Sequence, residues 1–396
     1  MVAAVNDLRR DTAYIQSRSE FESPVLTPTT ANELCDAIRA HSRVLAIGAR
    51  TKPRLSAVSP AQGDVALIST LGLSGIIAYD PGEFTFTALA GTPLREIRAA
   101  LAERGQHLPF DPPLVESGAT IGGTVAAGLS GPGRFRYGGV RDFILAVQFA
   151  DGTGQLLRGG AKVVKNAAGF DIPKFLVGSC GRFGVITEVT FKVFPTPQSW
   201  LTLRIPCADV TEAAARIAQG ASSRWELDAM DYVQMRSAEC GVRNEDCLLA
   251  RLGGPADANA ALAEEIKNTW PGATILADAD ADSVWSGLRE FAWAHADGVL
   301  AKIPITLAAL APLAAVLARL SGARGHFSAG GNIAFVSLPT AEQAAPLDTE
   351  LRTLGLSALV LRGIGAHARL GISHESAVAE NVRAVFDPVR RFPPFE

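Results

Sequence analysis

The chain has 396 residues, of which 48% are hydrophobic and 19% are charged, and its formal net charge is -3. This length allows two or more domains with a sizeable buried core. The composition is that of an ordinary soluble globular protein, and the charge balance gives no basic surface for nucleic acid.

The five cysteines are scattered, and no two of them show CxxC spacing. Such a set predicts reduced thiols rather than a disulfide framework, and it offers no obvious ligands for an iron–sulfur cluster. The first residues, MVAAVNDLRRDTAY, lack the apolar core of a secretory signal. The most apolar run, residues 303–318, is too short to span a membrane. We therefore expect a cytoplasmic protein, and attachment to the inner membrane through partner subunits stays open.

Residues 1–22 are polar and are expected to be poorly ordered. A compact β-α-β unit should follow, with a strand at residues 25–26, a helix opened by a capping box at residues 30–33, and a strand at residues 43–48. The next loop, residues 48–52, is polar and basic. It lies at the carboxyl end of a strand, where α/β folds hold ligands and backbone amides can bind an anion. Taken alone, an ordinary polar turn explains this loop equally well.

Further strands are predicted at residues 64–70 and 84–91. Thr92 and Pro93 are expected to be the N-cap and first residue of a helix over residues 94–104. A strand at residues 143–150 then pairs with residues 155–158 in a hairpin. Residues 184–197 alternate apolar and polar side chains and predict a strand that two prolines end.

Beyond those prolines the pattern changes to strands alternating with alanine-rich helices. Strands are predicted at residues 201–205, 247–251, 299–303, 333–338 and 359–361, and helices at residues 210–219, 256–269, 283–294, 312–320 and 341–353. This alternation predicts a second sheet with helices on one face. The expected domains are residues 23–198 and 199–375, followed by a tail, residues 376–396, that returns to the first domain.

Two further stretches suggest ligand binding. Residues 118–128 are rich in glycine and alanine, which suits backbone that lies close against a large ligand, although a flexible loop is the alternative. Residues 178–187 join a glycine turn to an apolar strand whose backbone could hold a purine edge. Each signal is weak by itself, because no GxGxxG after a strand and no Walker sequence is present.

Together, in this order and spacing, the stretches resemble flavoproteins of the vanillyl-alcohol oxidase and p-cresol methylhydroxylase (PCMH) type. Within that family they are similar to the FAD-binding subunits of bacterial glycolate oxidases (glycolate dehydrogenases). The resemblance rests on YDPGEFTFTALAGTPLREIRAAL, on GGVRDFIL after the glycine stretch, and on KNAAGFDIPKFLVGSCGRFGVITEVTFKVFP. It implies an α+β fold, in which a PCMH-type FAD-binding domain of a small β-α-β subdomain and a larger mixed-sheet subdomain precedes an α/β cap domain.

The resemblance also implies which residues hold FAD. The first loop would contact the diphosphate, the glycine stretch the second phosphate and ribityl chain, and the last segment the adenine and its ribose. These positions are Gly48, Ala49, Arg50, Thr51, Lys52, Gly118, Ala119, Thr120, Ile121, Gly122, Gly123, Ala126, Ala127, Gly128, Gly184, Val185 and Ile186.

Two features of the first loop depart from the family pattern. Ala49 and Arg50 stand where glycine is common, so either the loop avoids positive φ there or flavin binding is weaker. Covalent flavin attachment in this family uses a histidine in this loop, where Thr51 stands here. We therefore expect FAD to be held non-covalently.

The catalytic residues stay unidentified. The six histidines form no HxH or HExxH pair, so no metal site is expected. The histidine-rich hydroxy-acid site of the related catalytic subunit also has no match. Arg362 and Arg369 could clamp a carboxylate, although a surface role is the simpler assignment. Arg141 and Asp142 could orient the glycine segment or form a surface pair of little energetic weight.

The resemblance implies an FAD-dependent oxidoreductase acting on CH–OH groups. In this interpretation the chain is a subunit that takes a hydride from glycolate, or a related 2-hydroxy acid, and yields glyoxylate or the matching 2-oxo acid. A second flavin subunit and an iron–sulfur subunit are implied as partners, because this chain shows no ligands for an electron relay. Two alternatives stay open: a stand-alone FAD-dependent 2-hydroxy-acid dehydrogenase, and a non-catalytic structural subunit with a degenerate flavin fold.

Overall fold

The computed structural model describes residues 25–57, 64–161, 170–234, 246–363, 367–373 and 377–394. The expected disorder of residues 1–22, the segment 162–169 of the family-like sequence, Cys240 and His374 lie outside the described residues. The strands are β1 (Val25–Leu26), β2 (Val44–Ile47), β3 (Ala66–Ser69), β4 (Ile76–Asp80), β5 (Thr85–Leu89), β6 (Gln106–His107), β7 (Ile144–Ala150), β8 (Leu156–Gly160), β9 (Val185–Lys192), β10 (Phe194–Pro195), β11 (Ser199–Pro206), β12 (Ala229–Gln234), β13 (Cys247–Gly254), β14 (Thr274–Ile275), β15 (Val299–Pro304), β16 (Arg324–Ser328), β17 (Ile333–Leu338), β18 (Ser357–Arg362) and β19 (Arg369–Gly371).

The helices are α1 (Ala31–Ala40), α2 (Leu94–Ala102), α3 (Ile121–Ala127), α4 (Arg134–Tyr137), α5 (Val140–Phe143), α6 (Ile172–Leu176), α7 (Val210–Ala221), α8 (Ala256–Thr269), α9 (Asp278–Arg289), α10 (Leu307–Arg319), α11 (Ala344–Thr353) and α12 (Ala377–Phe386). Short 3₁₀ turns lie at Pro53–Ser56, Thr70–Gly72 and Ala341–Gln343. Helices and sheets thus both contribute, and the expected α+β class is confirmed.

The first region, residues 25–195, contains two main sheets. The smaller one is parallel, in the order β1-β3-β2, and the larger one is antiparallel, in the order β4-β5-β9-β7-β8. Helix α1 begins as the capping box predicts: Glu33 N–H donates to Thr30 Oγ1 at 3.2 Å. Because β2 and β3 run parallel, their carboxyl ends meet at one edge of the small sheet.

The second region, residues 199–373, is built on one antiparallel sheet of nine strands. Their order is β14-β11-β13-β12-β16-β17-β15-β18-β19. Alternate side chains enter two cores: Met230 and Leu248 pack on the side of helices α7, α8, α10 and α11, whereas Cys247 and Leu249 pack into the core shared with the first region. The two regions are therefore joined by one continuous apolar core.

Helix α9 corrects the expectation that helices cover one face only. It begins five residues before the predicted start and packs on the face that looks towards the first region, where Trp285 Nε1 donates to Thr202 Oγ1 at 2.9 Å. Helix α10 likewise begins at Leu307, not at the predicted position 312, and Pro312 lies inside it.

The cap of helix α2 is also corrected. Pro93, in extended conformation, is the N-cap. Thr92 Oγ1 instead donates to Leu89 O at 2.7 Å and accepts from Gly75 N–H at 2.9 Å, so it ties two loop segments together. The glycine stretch contains helix α3 and is not an open loop.

Candidate functional site

One cavity lies where the first loop, helix α3 and the start of β9 meet. It is lined by predicted positions from all three segments: Gly48, Ala49, Arg50, Thr51, Lys52, Thr120, Gly122, Gly123, Ala126, Ala127, Gly184, Val185 and Ile186. Three stretches that are far apart in the sequence are thus brought together around one space.

The first loop follows β2. Its backbone shows whether positive φ occurs although Ala49 and Arg50 stand where glycine is common. Arg50 has φ 54°, so the loop does enter the left-handed region, without the glycine that usually occupies it. Of the two alternatives, avoidance of positive φ is excluded at Arg50.

Helix α3 presents its glycines to two different neighbours. Thr120 caps it by accepting from Gly123 N–H, and Gly123 lines the cavity. A Cβ on Gly122 would lie 2.6 Å from Ala90 Cβ and 2.8 Å from Ala90 O. Gly122 therefore allows the helix to lie against the chain leaving β5, and this close packing shapes one wall of the cavity.

Four predicted positions do not line the cavity: Gly118, Ala119, Ile121 and Gly128. Ala119 and Ile121 are fully buried in the apolar core, because their side chains point away from the cavity. Gly128 ends helix α3 with φ 60°. Conversely, Cys180 and Gly181 line the cavity, and only their glycine-turn context indicated them beforehand.

Lys52 is the main electrostatic feature of the first loop. Its side chain is buried, and Nζ donates to Thr51 Oγ1 at 2.9 Å. Within the described residues no carboxylate forms an ion pair with it. Burial lowers the pKa of Lys52 to about 8, although the Cys180 thiol opposes this effect. A buried cation without an acidic partner is suited to a ligand that carries negative charge.

A second buried lysine extends from the second region to the C-terminal end of helix α3, and no sequence pattern predicts it. Lys302 lies on β15 and donates from Nζ to Gly128 O at 2.7 Å. Burial, followed by the nearby charge of Arg134, lowers its pKa to about 8. Burial raises the pKa of the Cys180 thiol to about 11, so this cysteine is protonated at neutral pH.

The remaining candidates have structural contacts. Arg362 donates to His295 O at 2.9 Å, and Asp142 accepts from Gly139 N–H at 2.8 Å, so it orients the glycine turn without Arg141. His326 Nε2 lies 2.7 Å from Asp231 Oδ2 within the second sheet. In the described part of the chain, no cluster of histidine, cysteine and carboxylate side chains could hold a metal ion.

A second cavity of about 500 Å³ lies at the interface between the two regions. Its wall includes Arg251, whose guanidinium is 4.5 Å from the centroid of the Trp200 ring and 5.2 Å from that of Trp285. Arg251 is also paired with Asp228 at 2.6 Å and with Asp111 of the first region. Most charge in this wall is internally compensated, which contrasts with Lys52 in the first cavity, for which the described residues offer no carboxylate partner.

The comparison with protein families places residues 23–160 in the family described as FAD binding domain. The glycolate oxidase subunit GlcE of Escherichia coli (strain K12) is 46% identical over 156 residues, which are 39% of this chain and 43% of that protein. A D-lactate dehydrogenase of Anaerostipes hadrus is 30% identical over 236 residues, which are 60% of this chain and 46% of that one. The chain thus matches less than half the length of these relatives.

The structural comparison extends over most of the chain. An alkyldihydroxyacetonephosphate synthase shares the fold with a TM-score of 0.66 and 15% identity, over 93% of this chain and 76% of its own. No helix among the described residues is both long enough and apolar enough to cross a bilayer.

The cavity fits the cofactor that this domain type binds. Its walls offer close backbone approach at Gly48 and Gly123, and its buried lysine suits a diphosphate. The chain therefore contains an FAD-binding domain of the PCMH type, and its cofactor is FAD.

Proposed function

We propose that the chain is the FAD subunit of a complex that oxidises glycolate or a related 2-hydroxy acid to the 2-oxo acid. The observation that carries the proposal is the convergence of three separate backbone segments and the buried Lys52 on one cavity within a domain similar to a glycolate oxidase subunit. In this proposal, residues 23–198 form the FAD-binding domain, residues 199–375 the cap, and residues 376–396 the returning tail.

The roles of the chain's own residues follow from their positions. Lys52 and the first-loop amides hold the diphosphate, the backbone around Gly123 faces the ribityl chain, and residues 184–186 face the adenosine portion. When bound, FAD would supply the two-electron acceptor for a hydride from the substrate α-carbon, and the hydroxyl proton would leave to solvent or to a group of the complex. Attachment is non-covalent, because Thr51 replaces the expected histidine and the Cys180 thiol in the wall is protonated. Release of all flavin on acid precipitation tests this point.

The electrons then leave through partners, a second flavin subunit and an iron–sulfur subunit. The name of the similar GlcE protein, a subunit, supports an assembly of this kind. The complex would act in the cytoplasm or at the inner face of a membrane through its partners.

One experiment tests the proposal. The chain is purified alone and with its partner subunits, its flavin spectrum is recorded, and glycolate is added without oxygen. We expect bound flavin in both samples and bleaching in the complex. A chain that binds no FAD under any reconstitution condition would contradict the proposal and leave a purely structural subunit.

A second candidate, a flavin-holding subunit that does not itself meet substrate, is favoured by one observation. None of the residues that line the described cavity is a histidine. Flavin that stays oxidised with glycolate in the isolated chain, but becomes reduced in the complete complex, is expected from this candidate. Bleaching in the isolated chain would instead indicate a stand-alone dehydrogenase.

A further inference from the structure

The second cavity is separate from the cavity assigned to FAD. Its volume of about 500 Å³ lies in the range of pockets that hold small organic molecules. None of the described residues that line it also lines the first cavity. Helix α2 and the loop after β6 form one side, and β11 and helix α9 form the other. A molecule bound there would contact both regions of the chain.

An apolar surface forms much of the lining, and its position is fixed. Helix α9 is held from both regions, because Leu114 N–H donates to Arg289 O at 3.1 Å and Trp285 Nε1 donates to Thr202 Oγ1 at 2.9 Å. A surface that is already ordered costs little conformational entropy on binding. Its main apolar members are Leu94, Leu108, Pro112, Val115, Trp200 and Trp285.

Helix α9 places charge at both ends of this surface. Asp278, Asp282, Trp285 and Arg289 all line the cavity and follow one another at helical spacing. The two carboxylates are exposed to water, and Asp278 stands in the first turn, where the helix dipole stabilises it. Arg289 is half-buried and lies about 10 Å further along the helix axis than Asp282. The acidic end is therefore satisfied by solvent, whereas the basic end is partly removed from it.

The guanidinium group of Arg289 has no acceptor among the described residues, in contrast to the other arginines of the cavity. Arg98 pairs with Glu116 at 2.5 Å, and Arg251 pairs with Asp228 and Asp111. Arg289 acts on Asp111 only through its charge: burial would raise the pKa of Asp111, but Arg251 and, after it, Arg289 lower that pKa. A planar guanidinium group with unused N–H donors matches the geometry of a carboxylate.

We propose that the second cavity binds an organic carboxylate with an apolar body. The carboxylate accepts hydrogen bonds from Arg289, and the body packs on Val115 and Trp285. This site does not rest on the proposed function, because its ligand is neither oxidised nor placed in the first cavity. Since the ligand contacts both regions, its binding stabilises the second region in its position on the FAD-binding domain.

The probe is 2-naphthoate, which is titrated calorimetrically into the chain as purified and after saturation with FAD. Three further probes separate charge from body: 2-naphthylmethanol is neutral, 2-naphthylmethylamine is a cation, and acetate lacks the apolar body. The variants are Arg289→Met, Arg289→Lys, Ala281→Phe and Lys267→Met. Ala281 lines the cavity, whereas Lys267 pairs with Glu264 at the surface and controls for the loss of one positive charge. The melting temperature of each variant shows whether it is folded.

We expect 2-naphthoate to bind once per chain, equally well with and without FAD, and to raise the melting temperature of the wild type. Arg289→Met should weaken binding roughly tenfold or more, because hydrogen bonds between two charged groups are lost. Arg289→Lys should recover part of the affinity. Ala281→Phe should prevent binding by filling the cavity, and Lys267→Met should equal wild type.

Four results would overturn the inference. The first is a wild-type chain that binds no 2-naphthoate, or binds acetate or the amine as tightly. The second is unchanged affinity in folded Arg289→Met, and the third is undiminished binding in folded Ala281→Phe. The fourth is competition between 2-naphthoate and FAD, since the probe would then occupy the first cavity.

Discussion

Arg251 of the second sheet and Asp111 of the first region form an ion pair across the seam between them. Arg251 also donates from Nη2 to Asp228 at 2.6 Å, and Asp111 Oδ2 accepts from Gly133 N–H at 3.1 Å. Burial alone would raise the pKa of Asp111, but the guanidinium groups of Arg251 and Arg289 outweigh burial and lower it. The second sheet is thereby connected to the glycine-rich segment that follows helix α3.

The first prediction concerns this pair. Arg251→Met leaves the buried carboxylate of Asp228 and the partly buried carboxylate of Asp111 without this cation, which should lower the free energy of unfolding by about 3–5 kcal/mol. Arg224→Met is the control, because Arg224 pairs with Glu265 at an exposed position and should cost less than about 1 kcal/mol. Urea unfolding of both variants measures the difference. Equal midpoints would show that the ion pair between the two regions stabilises the fold no more than an exposed ion pair.

The second prediction separates two neighbouring glycines. Gly122→Ala places a Cβ against the main chain of Ala90 and should destabilise the fold by about 1–3 kcal/mol through overpacking. A Cβ at Gly123 would meet Thr120 Oγ1 at 3.0 Å and no main chain, and the side chain of Gly123→Val should narrow the cavity. We expect this variant to fold and to lose FAD affinity.

Thermal unfolding and FAD titration of both variants provide the two measurements. Full FAD affinity in Gly123→Val would contradict the placement of the cofactor along helix α3. Wild-type stability in Gly122→Ala would contradict the close approach of the helix to Ala90.

Much of the fold follows from local patterns. Helix Ala256–Thr269 and strand Ile333–Leu338 have the predicted bounds, because a continuous helical stretch and a buried apolar run are local properties. Strands β12 and β16 escaped prediction. They place Asp231 and His326 in the interior, where the two side chains contact each other at 2.7 Å. A buried polar residue interrupts the apolar pattern by which a strand is recognised. That Asp231 and His326 compensate each other is visible only in the folded sheet.

The candidate site likewise contains residues that could be predicted from the sequence and residues that could not. The glycine segments could be predicted because close backbone approach requires residues without side chains. Lys302 could not, since its relation to Gly128 depends on how one region packs on the other, 174 residues away along the chain. The orientation of Ala119 and Ile121 into the core likewise depends on helix α3, which a glycine-rich sequence does not favour.

The third prediction concerns pH. The pKa of Lys52 is lowered to about 8, so the lysine loses its charge above that pH in the free protein, whereas the unfolded chain keeps the proton up to about 10.5. Folding stability of the free chain should therefore rise between these values, since the unfolded state binds more protons. FAD affinity should change in the opposite direction and fall above pH 8, because the diphosphate loses its cation.

Fluorescence titration of FAD from pH 7 to 9.5 measures this effect, with a decrease of up to about tenfold per pH unit above the pKa. This range avoids the Cys180 thiol, whose pKa is about 11. Lys52→Met should bind FAD more weakly at pH 7 and show little pH dependence, while Lys267→Met should follow wild type. A pH dependence that persists in Lys52→Met would assign the effect to another group.

The last prediction concerns the C-terminal segment, which is expected to return to the first domain. Phe392 is fully buried in a core with residues of helix α1, and its N–H donates to Asp387 Oδ2 at 2.8 Å. Arg391 adds hydrogen bonds to His41 O and Gly152 O. Arg391 and Phe392 thus hold the segment against the first region. Phe392→Ala should lower the free energy of unfolding by about 3–5 kcal/mol, since it empties a buried aromatic site. Val389→Ala, at an exposed position, should change it by less than about 0.5 kcal/mol. Urea unfolding checks both values, and a Phe392→Ala protein as stable as wild type would show that the tail does not contribute to the fold.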